Sequence, residues 1–268
     1  MIDRGRYNVL GVMIDAVDYE GAVERIARAA KDRRAYAVSA LAVHGVMTGA
    51  LERTHRHRLN RFDLIVPDGQ PVRWALNRLH RTKLTQRVYG PNLMLETCRR
   101  ATQDGLPIFL FGGTDELLGA LTDALLEKFP GLMIAGTLAS RFQQVTEADM
   151  DALAATIKAS GAALTFVGLG CPRQEVWTFE MQRRLPMPML AVGAAFAFHA
   201  GLLPQAPAWM QDRGLEWLYR LAQEPRRLWR RYLLLNPLYV SLVALQYLHI
   251  HQFDMAEDDA PREPVCYG

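Results

Sequence analysis

The sequence predicts an α/β protein, a parallel sheet flanked by helices, with a helical appendage toward its C-terminal side. Three observations predict it. Short apolar runs alternate with helical patterns over about two hundred residues, as strands joined by helical crossovers do. Beyond Gly201 the texture changes: Pro204, Pro207 and Trp209 precede an arginine-rich amphipathic segment. Half of the 268 residues are hydrophobic and 22% are charged. That composition supports a large core and excludes a collagen, a coiled-coil rod, a disulfide scaffold and a mostly disordered chain.

Strands are expected at Val9–Ile14, Ala35–Val38, Leu64–Val66, Ile108–Phe111, Met133–Gly136, Leu164–Val167 and Met189–Val192. Between the first two, Ala22, Val23, Ile26, Ala27 and Ala30 share one helical face behind Asp18, a natural N-cap. Leu117 to Phe129 forms another helix, stopped by Pro130-Gly131. Thr146 and Asp149 form a capping box, so Asp149-Met-Asp151 is a helix start and not a metal site. There is no internal repeat. The result is a Rossmann-like core over residues 1–200, an appendage over 201–253 and a polar, acidic tail over 254–268 expected to be disordered.

Thirty-one basic against 28 acidic residues give a net charge of +3, too mild for a nucleic-acid binder. Most of the excess lies in the appendage, where Arg213, Arg220, Arg226, Arg227, Arg230 and Arg231 face only Glu216 and Glu224. On one continuous helix Arg220, Arg227 and Arg230 would share a face; alternatively Pro225 begins a second helix. Trp217, Leu218, Leu221, Leu228 and Trp229 supply an apolar counterpart. Such a segment reads as a membrane-surface element, or as a helix packed on the core with its arginines in water. Tyr232 to Phe253 carries no formal charge, but Asn236, Pro237, Ser241, Gln246, His249 and His251 make it a poor spanning helix, so a monotopic attachment is expected. Three scattered cysteines point to a reduced, cytosolic compartment, and Met1–Arg6 has no apolar signal core.

In a parallel sheet the ligand crevice lies beyond the carboxyl ends of the strands. That rule selects Ser39, Asp68, Gly112-Gly113-Thr114 and Gly168-Leu-Gly-Cys-Pro-Arg-Gln-Glu175. Gly112-Gly113 is either a tight turn or a place where a phosphate approaches the backbone. Asp68, in Pro-Asp-Gly, is either an Asx turn or a carboxylate placed to take a proton from an attacking hydroxyl; the basic, Trp-containing Arg73-Trp74 beside it favours the second. Neither a Walker A motif nor a G-x-G-x-x-G fingerprint is present, which disfavours a P-loop enzyme and a dinucleotide oxidoreductase. No histidines or cysteines fall at metal-ligand spacing, and the pairs His55/His57 and His249/His251 read as surface residues.

Several blocks in one order resemble the WecG/TagA/CpsF family of bacterial glycosyltransferases. They are Val66-Pro-Asp-Gly-Gln-Pro-Val-Arg-Trp74, Arg87-Val-Tyr-Gly-Pro-Asn-Leu93, Phe109-Leu-Phe-Gly-Gly113, Val167-Gly-Leu-Gly-Cys-Pro-Arg-Gln-Glu175, Val192-Gly-Ala-Ala-Phe196, Ala206-Pro-Ala-Trp-Met210 and Gly214-Leu-Glu-Trp-Leu-Tyr-Arg220. The resemblance implies transfer of a sugar from a UDP-sugar to a polyprenyl-diphosphate-linked sugar at the inner face of the cytoplasmic membrane, building surface polysaccharide. It implies an inverting, metal-independent reaction with no further cofactor. Asp68 would be the general base, Ser39 would take the place of a family threonine, and Gln174 would assist the donor sugar. Gly112, Gly113, Gly168, Gly170, Pro172, Glu175, Arg87 and Asn92 would border the UDP-sugar; Arg220, Arg227 and Arg230 would meet the acceptor's diphosphate and the membrane. The chain departs from the family at Leu41 (often Asn), Asn92 (often Asp) and Phe196-Ala-Phe198 (often Phe-Asp-Phe). Among N-acetylmannosamine, its uronic acid and glucose, these losses favour a plain hexose. The alternative is a membrane-peripheral nucleotide-sugar scaffold without catalysis; monomer and homo-oligomer stay open.

Overall fold

The structure, a computed structural model, describes residues 1–141, 143–254 and 258–268. It opens with an antiparallel hairpin, β1 (Asp3–Val9) and β2 (Val12–Val17). The single strand expected over Val9–Ile14 is corrected: Leu10 and Gly11 form a two-residue turn with φ of 55° and 86°. Positive φ at both central residues is the type I′ pattern of tight hairpins, and an unbroken apolar run concealed this one. Leu10 is held there by a fully buried side chain and by its amide, which donates to Gln246 Oε1 at 3.0 Å.

Next come α1 (Tyr19–Lys31), β3 (Tyr36–Leu41), α2 (Val43–Leu51), α3 (Arg53–Asn60), β4 (Leu64–Pro67), α4 (Gln70–His80) and α5 (Gly90–Asp104). The second half runs β5 (Ile108–Phe111), α6 (Asp115–Lys128), β6 (Ile134–Leu138), α7 (Glu147–Ala159), β7 (Leu164–Val167), α8 (Arg173–Met181), β8 (Pro188–Ala191) and α9 (Ala195–His199). Asp18 caps α1 by accepting from the Gly21 amide, worth about 1 kcal/mol, and the Thr146–Asp149 capping box opens α7.

β3 to β8 form one parallel sheet in the order β4-β3-β8-β7-β5-β6. Val38 lies beside both Leu64 and Leu190, so the carboxyl ends emerge along one edge. Both faces are covered, which is why the strands read as continuous apolar runs. One face packs on α1, α5, α6 and α9 through Ile26, Leu93, Leu118 and Phe196. The other carries the hairpin, α2 and α4 through Ile14, Met47 and Val72, with α7 and α8 over its far half through Met150 and Trp177.

His55 and His57 are not surface residues. His55, Arg56, His57 and Arg58 are all buried on α3, which packs against β2 and α8. His57 meets Phe179 edge-on, and burial pushes the His55 pKa down to about 4. A helix rich in histidine and arginine can fill a core when its rings and long aliphatic stems pack, and Asp258 takes the Arg56 guanidinium.

The appendage comprises α10 (Ala208–Asp212), α11 (Glu216–Gln223) and α12 (Pro225–Tyr247). Glu224 leaves helical geometry (φ −131°, ψ 59°) and Pro225 starts α12, so the basic segment is two helices. α12 packs on α2 and α4; Tyr239 is buried and its hydroxyl donates to the Pro71 carbonyl at 3.3 Å. Among the described residues no helix is long and apolar enough to cross a membrane. Within the tail, expected from its composition to be disordered, described residues make specific contacts. Asp258 accepts from Arg56 and Asn60, and Cys266 is buried beside α7 and α8. Partners for the Asp258 carboxylate and one apolar anchor, Cys266, hold these points of the tail against the body.

Candidate active site

Asp68 leaves the sheet immediately after β4. Its amide donates to the Leu41 carbonyl at 3.2 Å, and its Oδ1 accepts from the Gly90 amide at 2.6 Å. Gly69 keeps ordinary extended backbone (φ −88°), so the turn does not depend on a left-handed glycine. Arg73 donates to the carbonyls of Leu84 and Thr85, and Trp74 lies against Gly214. Both hold neighbouring chain in place.

A cavity of about 330 Å³ opens beyond the strand ends. Gly113, Gly168, Gly170, Gly193 and the backbone of Ala194–Ala195 form one side, Gln174 and Glu175 lie on its floor, and Arg220, Arg227 and Arg231 close it from the appendage. The floor is a buried polar chain. The Gly170 amide donates to Gln174 Oε1 at 3.2 Å, and Gln174 Nε2 donates to Glu175 Oε1 at 2.9 Å. Ser39 Oγ donates to the same Glu175 oxygen at 3.0 Å. Burial raises the Glu175 pKa, against the lowering by its Gln174 and Ser39 bonds. Burial and the neighbouring Glu175 also keep the Cys171 thiol protonated, which disqualifies it as a nucleophile.

A second, smaller cavity of about 90 Å³ lies between the core and the appendage. Ala42, Asp68, Glu216, Arg220 and Arg231 line both cavities; Asp68 therefore stands at their seam. Arg87 borders the smaller one, paired with Glu216 Oε2 at 2.8 Å, bonded to Gln211 Oε1 at 3.0 Å and stacked 4.1 Å from the Tyr89 ring centroid. The Tyr89 hydroxyl donates to Glu216 Oε1 at 2.9 Å. Burial raises the Asp68 pKa to about 6; Arg87 opposes this, Glu216 adds to it, and the Gly90 bond and Arg220 oppose it. A carboxylate so placed is ionised at neutral pH yet basic enough to accept a proton. Among the described residues Arg220 and Arg231 are without an ion-pair partner.

The predicted residues thus separate into groups. Asp68, Gly113, Gly168, Gly170, Gln174, Glu175, Arg220 and Arg227 line the larger cavity, and Arg87 borders the smaller one. Ser39 stands one layer behind Glu175, fully buried. Gly112 does not line either cavity. It has φ of 115°, and a Cβ there would come within 2.8 Å of the Gly168 backbone, so its role is close chain packing. Pro172 is the N-cap of α8, and Asn92 is exposed beside the Tyr19 hydroxyl. Arg230 is exposed on the outer face of α12, over the Trp229 ring. The residues that sequence reasoning missed are His44, Tyr89, Gly193, Glu216 and Arg231. Arg231 carried a signal, since it lies four residues after Arg227 on the helix that Pro225 begins.

Among the described residues no group of three or more His, Cys, Asp or Glu side chains is arranged to hold a metal ion. An open parallel sheet with glycine loops at its carboxyl edge, a carboxylate at the seam of two cavities and a cationic helical cover is the arrangement of a ligand-binding α/β fold. The sequence model of the glycosyl transferase WecG/TagA/CpsF family matches residues 7–252. The chain belongs to that family and is a glycosyltransferase.

Proposed function

We propose that the protein transfers a hexose or N-acetylhexosamine from a UDP-sugar to a polyprenyl-diphosphate-linked sugar in surface polysaccharide biosynthesis, inverting the anomeric centre without a divalent metal. The observation that carries this is Asp68 at the seam of the two cavities. The donor occupies the larger cavity, with its diphosphate toward the glycine loops and the guanidiniums of Arg220, Arg227 and Arg231. The acceptor enters from the appendage. In a single displacement the acceptor oxygen bonds to the anomeric carbon as the bond to UDP breaks. The hydroxyl proton passes to Asp68, and the electron pair leaves with UDP. Arginines and backbone amides oppose the charge that gathers on the diphosphate, the work a metal performs in other transferases. Peripheral attachment to the inner face of the cytoplasmic membrane fits exposed Trp229, Leu233, Leu234 and Leu238 on α12 with Arg230 among them.

Asp68→Asn should lower turnover by roughly 10²–10⁴-fold, the usual contribution of a positioned base, while calorimetry shows unchanged UDP affinity. Wild-type turnover in this variant would refute the base assignment. UDP should bind equally well with and without a chelator; selective binding of NAD would overturn the transferase reading.

A further inference from the structure

The smaller cavity holds a concentration of unsatisfied polar atoms. His44 Nδ1, Gln70 Oε1 and Arg231 Nε are buried without a hydrogen-bond partner, and all three residues line it. Gln70 is only 8% exposed. Buried polar atoms almost always have partners, so three orphans around one cavity indicate a ligand that supplies them. Their chemistry narrows its class. Gln70 Oε1 can only accept, Arg231 Nε–H can only donate, and the His44 ring nitrogen does either according to tautomer. Burial and the Arg231 charge push the His44 pKa down to about 4, so at neutral pH its ring carries no charge. A phosphate cannot donate to Gln70 and a prenyl chain can serve none of the three, whereas hydroxyls donate and accept at once. The remaining wall includes Trp217 and Tyr232, whose ring centroids lie 6.0 Å apart, an apolar surface for the C–H face of a sugar ring.

We propose that His44 and Gln70 form the subsite that holds the acceptor's sugar ring, bonding hydroxyls beside the one that Asp68 deprotonates. This rests on the transferase reading for its biological acceptor, but the subsite itself is a claim about carbohydrate binding. Specificity for the acceptor would then reside in these two side chains, because a site built around hydroxyls rejects analogues that lack them.

The test measures binding of methyl glycosides (glucoside, mannoside, N-acetylglucosaminide) to the full chain saturated with UDP, by saturation-transfer NMR. Gln70→Leu keeps volume and removes the acceptor; His44→Ala and His44→Gln bracket the imidazole. At least one glycoside should bind the wild type, and each variant should weaken it roughly tenfold, the scale of a lost hydroxyl bond, with UDP affinity unchanged as the control for folding. In a transfer assay the KM for acceptor should rise while the KM for donor stays level. Undiminished glycoside binding in the variants, or none in the wild type, overturns the subsite and leaves ordered water as the partner of the orphan atoms. Absence of transfer from every UDP-sugar by the wild type would defeat the transferase reading, while the glycoside experiment still decides the subsite.

Discussion

At Asp68 burial and charge compete within a few ångströms. Burial lifts its pKa, and Glu216 reinforces this while Arg87 works against it. Glu216→Gln removes a negative charge and releases Arg87 from its 2.8 Å ion pair, and both changes lower the Asp68 pKa. With Asp68 as the proposed base, activity falls as pH drops through that pKa, so the acid limb of kcat/KM should move to lower pH. A limb that stays in place or moves up would remove Glu216 from this role. The same carboxylate costs stability. Its folded pKa of about 6 exceeds the ordinary 3.8, so its contribution is fully present below pH 3.8 and is lost as pH rises through 6. Asp68→Asn should therefore stabilise the protein at pH 8, by on the order of 1–2 kcal/mol after discounting for solvent in the cavities. Thermal unfolding across pH checks this, and a variant no more stable than wild type at pH 8 would contradict it. Asp68 was legible in the sequence because its signal is local, a polar residue just past an apolar strand, whereas Gln174, on α8, was singled out by the family resemblance. Ser39 lies within β3, which runs on to Leu41 past the Val38 end expected from the sequence, so its hydroxyl is buried against Glu175 instead of standing beyond the strand.

Elements were legible to the extent that one period of hydrophobicity defined each. β5 and β7 have their expected bounds, since strands buried on both faces are simple apolar runs. The hairpin and the buried α3 escaped for opposite reasons: apolar residues continue through the first turn, and polar residues fill the second. What holds the hairpin turn is remote in sequence. Gln246 accepts from the Leu10 amide and donates to the Asn8 carbonyl at 3.1 Å, tying α12 to the chain's first strands. Gln246→Ala leaves the Leu10 amide without its partner, while the Asn8 carbonyl keeps His80 Nε2 at 2.7 Å, and should cost about 1–3 kcal/mol, read as a lower urea midpoint with an unchanged m-value. An unaltered midpoint would mean that packing alone holds the turn.

Across the whole molecule, the proposed chemistry and the proposed membrane attachment share one piece of chain. α11 and α12 bring Glu216, Arg220, Arg227 and Arg231 to the cavities, and this convergence was illegible because it depends on docking between elements far apart in sequence. The side of α12 opposite Arg227 and Arg231 presents an exposed apolar row, Trp229 and Leu233 one turn apart, while exposed Leu234 and Leu238 lie on the arginine side. Such an apolar row flanked by arginines suits the boundary between headgroups and acyl chains, and its contribution combines buried area with attraction to anionic lipid. Replacing Trp229 and Leu233 together by Glu inverts both terms on the side of α12 away from the cavities, since neither residue lines one. The double variant should bind anionic vesicles at least roughly tenfold more weakly, because a buried leucine alone is worth about 1.5–3 kcal/mol when fully withdrawn from water. Raised salt should weaken the wild type in the same assay. Transfer to a water-soluble acceptor should be unchanged in the variant. If vesicle binding survives the substitution, α12 is not the attachment face; if soluble transfer falls as well, the outer face of α12 is coupled to the cavities through the helix.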